Sequence, residues 1–115
     1  MPRPPPPNAA IADLANGLGI EDARDLVRMF LDGFDATFSA LSAAEREERR
    51  RAAHSLKSSA RIVGLMTLSR QMAELENRLG TPTGDVSPQD IVSAREKFME
   101  AEPTLRAFAD LPPAG

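Results

Sequence analysis

Val27, Phe30, Leu31, Phe34, Phe38 and Leu41 follow one another at spacings of 3, 1, 3, 4 and 3. That is one continuous apolar stripe at helical period, and it needs other amphipathic elements to cover it. The spacing predicts a helix from Glu21 to about Leu41, with Glu21, Asp22 and Asp25 favouring its positive N-terminal end. A chain of 115 residues has length for a single core. β-branched residues are few, while Ala, Leu, Arg and Glu are abundant, so the partners of this stripe should also be helices.

Further signals divide the rest of the chain. Asn8 can cap a short helix through Ile11, Leu14 and Ala15 that Gly17 and Gly19 end. Ser42-Ala43-Ala44-Glu45 reads as a capping box opening a helix that reaches about Gly64, with Ala53, Leu56, Ala60 and Val63 inward. A helix from about Thr67 to Leu79 carries Leu68, Met72, Leu75 and Leu79 on one face. Gly80 ends it, and Thr81 to Asp85 form a loop. Ser87-Pro88-Gln89-Asp90 is a strong helix start, and the helix it opens should bury Ile91, Phe98, Ala101, Leu105 and Phe108. Pro103 lies inside that pattern and is expected to kink or split it. The expected fold is all-α: an antiparallel four-helix bundle with a short N-terminal helix across one end. Residues 1–7 read as a proline-rich disordered tail without the apolar segment of a secretory signal, 8–111 as the bundle, and 112–115 as a C-terminal tail.

Composition removes several functions. The chain has no cysteine and one histidine, which excludes disulfides, thiolate chemistry and the usual multi-histidine zinc site. A net charge of -3 argues against general nucleic-acid binding. No apolar run approaches the roughly 18–20 residues of a membrane span. A cytoplasmic protein without nucleic-acid or membrane partners is the expectation.

The single histidine, His54, falls within the third long helix. Lys57, Ser58 and Arg61 share its face, while Leu56 and Ala60 point to the core. The ring is therefore expected in solvent, where a lone helical histidine is ordinarily just a solvated side chain. Three features argue for more, the first being a cation one turn on, at Lys57. Ala53, Ser55, Ser58 and Ser59 are small and leave room for an approaching partner. Between Arg46 and Arg61 there are six cations (Arg46, Arg49, Arg50, Arg51, Lys57, Arg61) against Glu47 and Glu48, inverting the sign of the whole chain. Such a cluster is either a solvated face with local salt bridges or a surface that receives an anion. A neutral imidazole has a nucleophilic nitrogen without help from a base, and attack on a phosphoryl group would give a phosphohistidine. No motif places a second catalytic carboxylate or hydroxyl beside His54, so hydrolysis has little support. A reversible carrier needs only one accessible nitrogen and a docking surface.

Ala53-His54-Ser55-Leu56-Lys57-Ser58-Ser59-Ala60, with Gly64 and then Leu75-Glu76, resembles the signature of histidine-containing phosphotransfer (HPt) domains. The resemblance implies a phosphoryl carrier in a two-component phosphorelay, without kinase activity of its own. His54 would be the phosphoacceptor, through Nε2, and Lys57 would help hold the phosphoryl group. Ser58 stands where the family typically has glycine, a position kept small for access. Gly64 matches the glycine that ends the third helix or lets helices pack. Arg61 is an added cation and not part of the motif. Implied partners are response-regulator receiver domains and a hybrid histidine kinase, with Mg expected on the receiver and no cofactor on this chain. Docking would use the histidine helix and its predecessor, where Leu26, Met29, Gly33, Thr37 and Ala40 form a second stripe of small or apolar residues. Arg50, Arg51 and Arg61 complete the expected binding surface. A monomer is expected. The alternative is a helical adaptor that uses the same face without phosphorylation; a third reading is a membrane-surface bundle acting through the arginines.

Overall fold

The computed structural model describes residues 3–114. These residues form five α-helices and no strand: α1 (Ala9–Leu18), α2 (Ile20–Ser39), α3 (Arg46–Ile62), α4 (Met66–Leu79) and α5 (Pro88–Phe108). A short 3₁₀ turn, Ala40–Ser42, follows α2 and carries Leu41 inward. Helix α3 packs on α4, α2 on α3 and α5, and α4 on α5, so the four long helices close a ring of contacts; α1 lies against α2 and α3.

The stripe on α2 is the centre of the core. All six of its residues are buried. Phe30, Phe34 and Phe38 lie one turn apart on α2, and Phe98 of α5 stacks on Phe34 with centroids 3.6 Å apart and rings nearly parallel. Phe30 meets Phe34 and Phe98 in tilted pairs with centroids 5.8 and 6.2 Å apart, an arrangement that adds about 0.5–1.5 kcal/mol per pair to the burial of the rings. The inward residues expected of α3 and α4 are buried without exception. On α5, Phe98, Leu105 and Phe108 are buried, but Ile91 and Ala101 are only partly covered, and Ala94 and Ala109 join the core instead. Ile91 lies in the first turn of α5, lining an open cleft with Leu41, Val86 and Val92.

The helix ends show which local signals operate. Asn8 caps α1, accepting from the Ile11 amide at 2.9 Å, and its side-chain amide donates to the Val63 carbonyl at 3.0 Å. One residue thus starts the first helix and ties it to the end of the third. Gly64 has φ +79°, and the Leu65 amide bonds back to the Ala60 carbonyl at 2.8 Å, a Schellman ending that requires the left-handed residue. The Ser87–Asp90 capping box forms in full.

The Ser42–Glu45 expectation fails, and Pro103 causes no break. The Ser42–Glu45 capping box is absent: Ser42 belongs to the 3₁₀ turn, and Glu45 precedes α3 without a side-chain cap. Arg49 reaches back instead and donates to the Ala43 and Ala44 carbonyls at 2.8 and 3.0 Å, holding the connection in an extended path. Pro103 does not split α5, which runs unbroken through it. The proline is exposed, so the missing amide falls on the side where water can satisfy the freed carbonyl.

In the proposed N-terminal tail, residues 3–7 are not helical, and Arg3 pairs with Glu21 at 2.6 Å. Met1 and Pro2, and Gly115 of the C-terminal tail, lie outside the described residues.

Candidate functional site

Only three residues separate α3 from α4, so the two helices run back along each other. At 1.5 Å per residue, a point about ten residues before that connection meets one about as far after it. His54 and Glu76 satisfy this relation, and the structure brings them together. Ser69, buried on α4, fixes the register by donating to the Lys57 carbonyl at 2.9 Å.

The centre of the site is the carboxylate of Glu76. Its Oε2 lies 2.7 Å from His54 Nδ1, and its Oε1 accepts from Lys57 Nζ at 2.6 Å. The Lys57 ammonium holds this carboxyl below its ordinary range; partial burial opposes that, and the bond to His54 adds to it. An ionised carboxylate has no hydrogen to donate, so the hydrogen in its contact with the ring belongs to Nδ1. In the neutral imidazole the lone pair then lies on Nε2. The side chain of His54 is 61% exposed, against 17% for Glu76. The ring is held at Nδ1 and is otherwise largely open to solvent.

No motif places a carboxylate beside the histidine in the sequence, but the fold brings Glu76 there. Glu76 entered the sequence reading only as part of the Leu75-Glu76 pair. Its role depends on 22 residues of chain folding back. The helix-length relation above is the signal that could have found it.

The arginine-rich start of α3 divides into two groups. Arg46 is spent on structure: it donates to the carbonyls of Leu79, Arg78, Thr81 and Gly84 and holds the α4–α5 connection. Arg49 pairs with Asp85 at 3.1 Å besides closing the α2–α3 connection. These two do not belong to an anion-receiving face. Arg50 leans on Glu47 at 3.7 Å, and Arg51 and Arg61 stay exposed with no carboxylate partner among the described residues. Glu47, Arg50, Arg51, His54, Ser55 and Glu76 line an open cavity of about 420 Å³ beside the ring.

Ser58 is exposed one turn beyond His54, and Ser55 beside the ring is exposed as well. On the α2 side, Met29 is 68% exposed, Gly33 is exposed and Leu26 is partly covered. Met29, Gly33 and Thr37 line a shallow groove of about 230 Å³ with Ser55 and Ser59 of α3. A Cβ added at Gly33 would meet nothing within 4 Å. Leu26 and Ala40 do not line this groove, although the sequence groups them in the same stripe. No helix among the described residues is long and apolar enough to cross a membrane.

An accessible imidazole held at one nitrogen on a helical scaffold is an arrangement compatible with a carrier of groups on histidine. The family model described as "Hpt domain" matches residues 25–107, spanning all of α3 and α4 and most of α2 and α5. The chain belongs to the Hpt domain family. Members of this family are phosphocarrier modules of two-component phosphorelays that interact with receiver domains, and they are not kinases. No curated protein and no solved structure gave a match.

Proposed function

We propose that this chain carries a phosphoryl group on Nε2 of His54 between receiver domains of a two-component phosphorelay. The observation that carries the proposal is the pairing of a well-exposed ring with a carboxylate on Nδ1. Nε2 attacks the phosphorus of a receiver's aspartyl phosphate. The N–P bond forms as the P–O bond to the aspartate breaks, and its electron pair leaves on the aspartate carboxylate. The ring becomes cationic, and its Nδ1–H stays against the ionised Glu76, which offsets the new charge. Transfer to a second receiver is the reverse of this step, with Mg supplied by that partner.

In this reading residues 8–111 work as an antiparallel four-helix bundle, supported by the closed ring of contacts among α2, α3, α4 and α5. Lys57 fixes Glu76 and contributes its charge to the phosphoryl group across that carboxylate. Ser58 keeps the approach to the ring narrow but open. A receiver docks along the groove of Met29 and Gly33, with Leu26 as a further contact on α2 outside the groove, and its acidic pocket meets Arg50, Arg51 and Arg61. The chain acts in the cytoplasm as a monomer and takes its phosphate, by way of a receiver, from a hybrid histidine kinase.

The test is incubation with a phosphorylated receiver domain. The carrier reading expects acid-labile, base-stable label on the wild type and none on His54→Ala. A chain that binds the receiver but never takes label is an adaptor.

A further inference from the structure

Lys57 is tied to Glu76 at 2.6 Å and is not among the residues lining the cavity beside the ring. Arg50 and Arg51 do line it, together with His54. The lysine therefore reaches the site through a carboxylate, whereas Arg50 and Arg51 line the cavity that the ring itself lines. They stand one turn before His54 on the same helix, at i-4 and i-3, which puts them on its face. Their commitments are slight: Arg50 makes one long pair with Glu47, and Arg51 pairs with no carboxylate among the described residues. Arg46 and Arg49, by contrast, are consumed by backbone carbonyls and Asp85.

We infer that Arg51, with Arg50 beside it, is the direct ligand of the phosphoryl oxygens on His54, and that Lys57 is a positioning residue that acts through Glu76. The inference rests on the carrier reading and assigns the work within the same site. A phosphoryl group presents three acceptor oxygens to the cavity, and a guanidinium offers planar, paired donors that match two of them. Glu76 lines the same cavity and would repel those oxygens. The ammonium of Lys57 neutralises that carboxylate from its other side, while the arginines supply the attraction. The cavity of about 420 Å³ leaves space for the phosphoryl group and for both side chains to turn inward.

The experiment needs no partner protein. The full chain is treated with phosphoramidate, whose N–P bond breaks with its electron pair leaving on ammonia as Nε2–P forms. Arginine Nε–H and lysine NζH₃ signals are recorded by NMR before and after, and the second ionisation of the phosphoryl group is followed by ³¹P shift. The expected result is that the Arg51 and Arg50 signals move on phosphorylation while the Lys57 signal stays that of a Glu76-paired ammonium. In Arg50→Ala/Arg51→Ala the phosphoryl ionisation should rise by about half a unit, because nearby cations favour the dianion. Arg51→Gln is the milder variant and should give part of that rise, with thermal unfolding unchanged in both. If His54 is phosphorylated yet the arginine signals and the ionisation do not move, this assignment is overturned and the carrier reading stands. If His54 takes no phosphoryl group, both fall.

Discussion

Glu76 lies 2.7 Å from Nδ1 of His54, and this contact leaves Nε2 as the ring nitrogen without a hydrogen-bond partner among the described residues. The carboxylate reaches the ring from α4, the following helix, and Lys57 holds it there from the other side. The arrangement separates two tasks that a lone solvated histidine cannot separate. One edge of the ring is oriented, and the other is open to a partner.

Removing the carboxylate should slow transfer without unfolding the chain. Glu76→Ala is expected to lower the single-turnover rate from a phosphorylated receiver about tenfold or more, as loss of an orienting partner commonly does. Glu76→Gln keeps a carbonyl acceptor for Nδ1–H but loses the charge, so its rate should fall between the two. ¹⁵N shifts of the ring should show mixed tautomers in Glu76→Ala and a dominant Nδ1–H form in the wild type.

Gly33 is a glycine inside a helix with open space around it, so the fold gains nothing from it. Gly33→Ala should stabilise the protein by about 0.5–1 kcal/mol in urea unfolding. Gly33→Leu fills the groove shared with Met29 and Ser59. It should leave stability at or above wild type while weakening receiver binding about tenfold or more, measured by titration calorimetry.

Gly64 has the opposite character. Its φ of +79° is left-handed, and an added Cβ would run into the Asn8 side chain that links α1 to the end of α3. Gly64→Ala should cost about 1–3 kcal/mol, read as a lower urea midpoint with an unchanged slope.

Acid should weaken the fold in a defined window. The Arg78 guanidinium, with the Ser87 amide and hydroxyl, lowers the Asp90 carboxyl from 3.8 to about 2 against the opposing effect of burial. A depressed carboxyl adds stability that is fully present above its unfolded value and is lost as pH falls through the folded one. Between about pH 4 and pH 2 this group should surrender roughly 1–2 kcal/mol, after allowing for solvent screening. Asp90→Asn should flatten that part of the stability profile. Glu76, also held below its ordinary range, adds a loss of the same sign as pH falls below 4.5.

The sequence made the core legible because helical period alone identifies it. The stripe from Val27 to Leu41 and the inward faces of α3 and α4 needed no tertiary information. The start of α5 was legible because Ser87 and Asp90 are three residues apart and satisfy each other locally. Ser42 and Glu45 have the same spacing, but Ser42 is taken up in the 3₁₀ turn that ends the preceding segment, which the local pattern does not reveal. The site was half legible. His54 and its exposed face follow from one helix, but the role of Glu76 exists only after α4 folds back. The arginine cluster was legible as a charge count and not as two groups, because carbonyls from a distant loop claim Arg46.

The most direct test of this account is to locate the phosphorus. Long-range ¹H–¹⁵N and ³¹P spectra of the full chain, taken after incubation with a phosphorylated receiver, distinguish the two ring nitrogens. The account predicts a single phosphoryl group on Nε2 of His54 with the Nδ1 hydrogen retained. Phosphorus on Nδ1, or on any other residue, or no transfer at all from a receiver that binds, would contradict it.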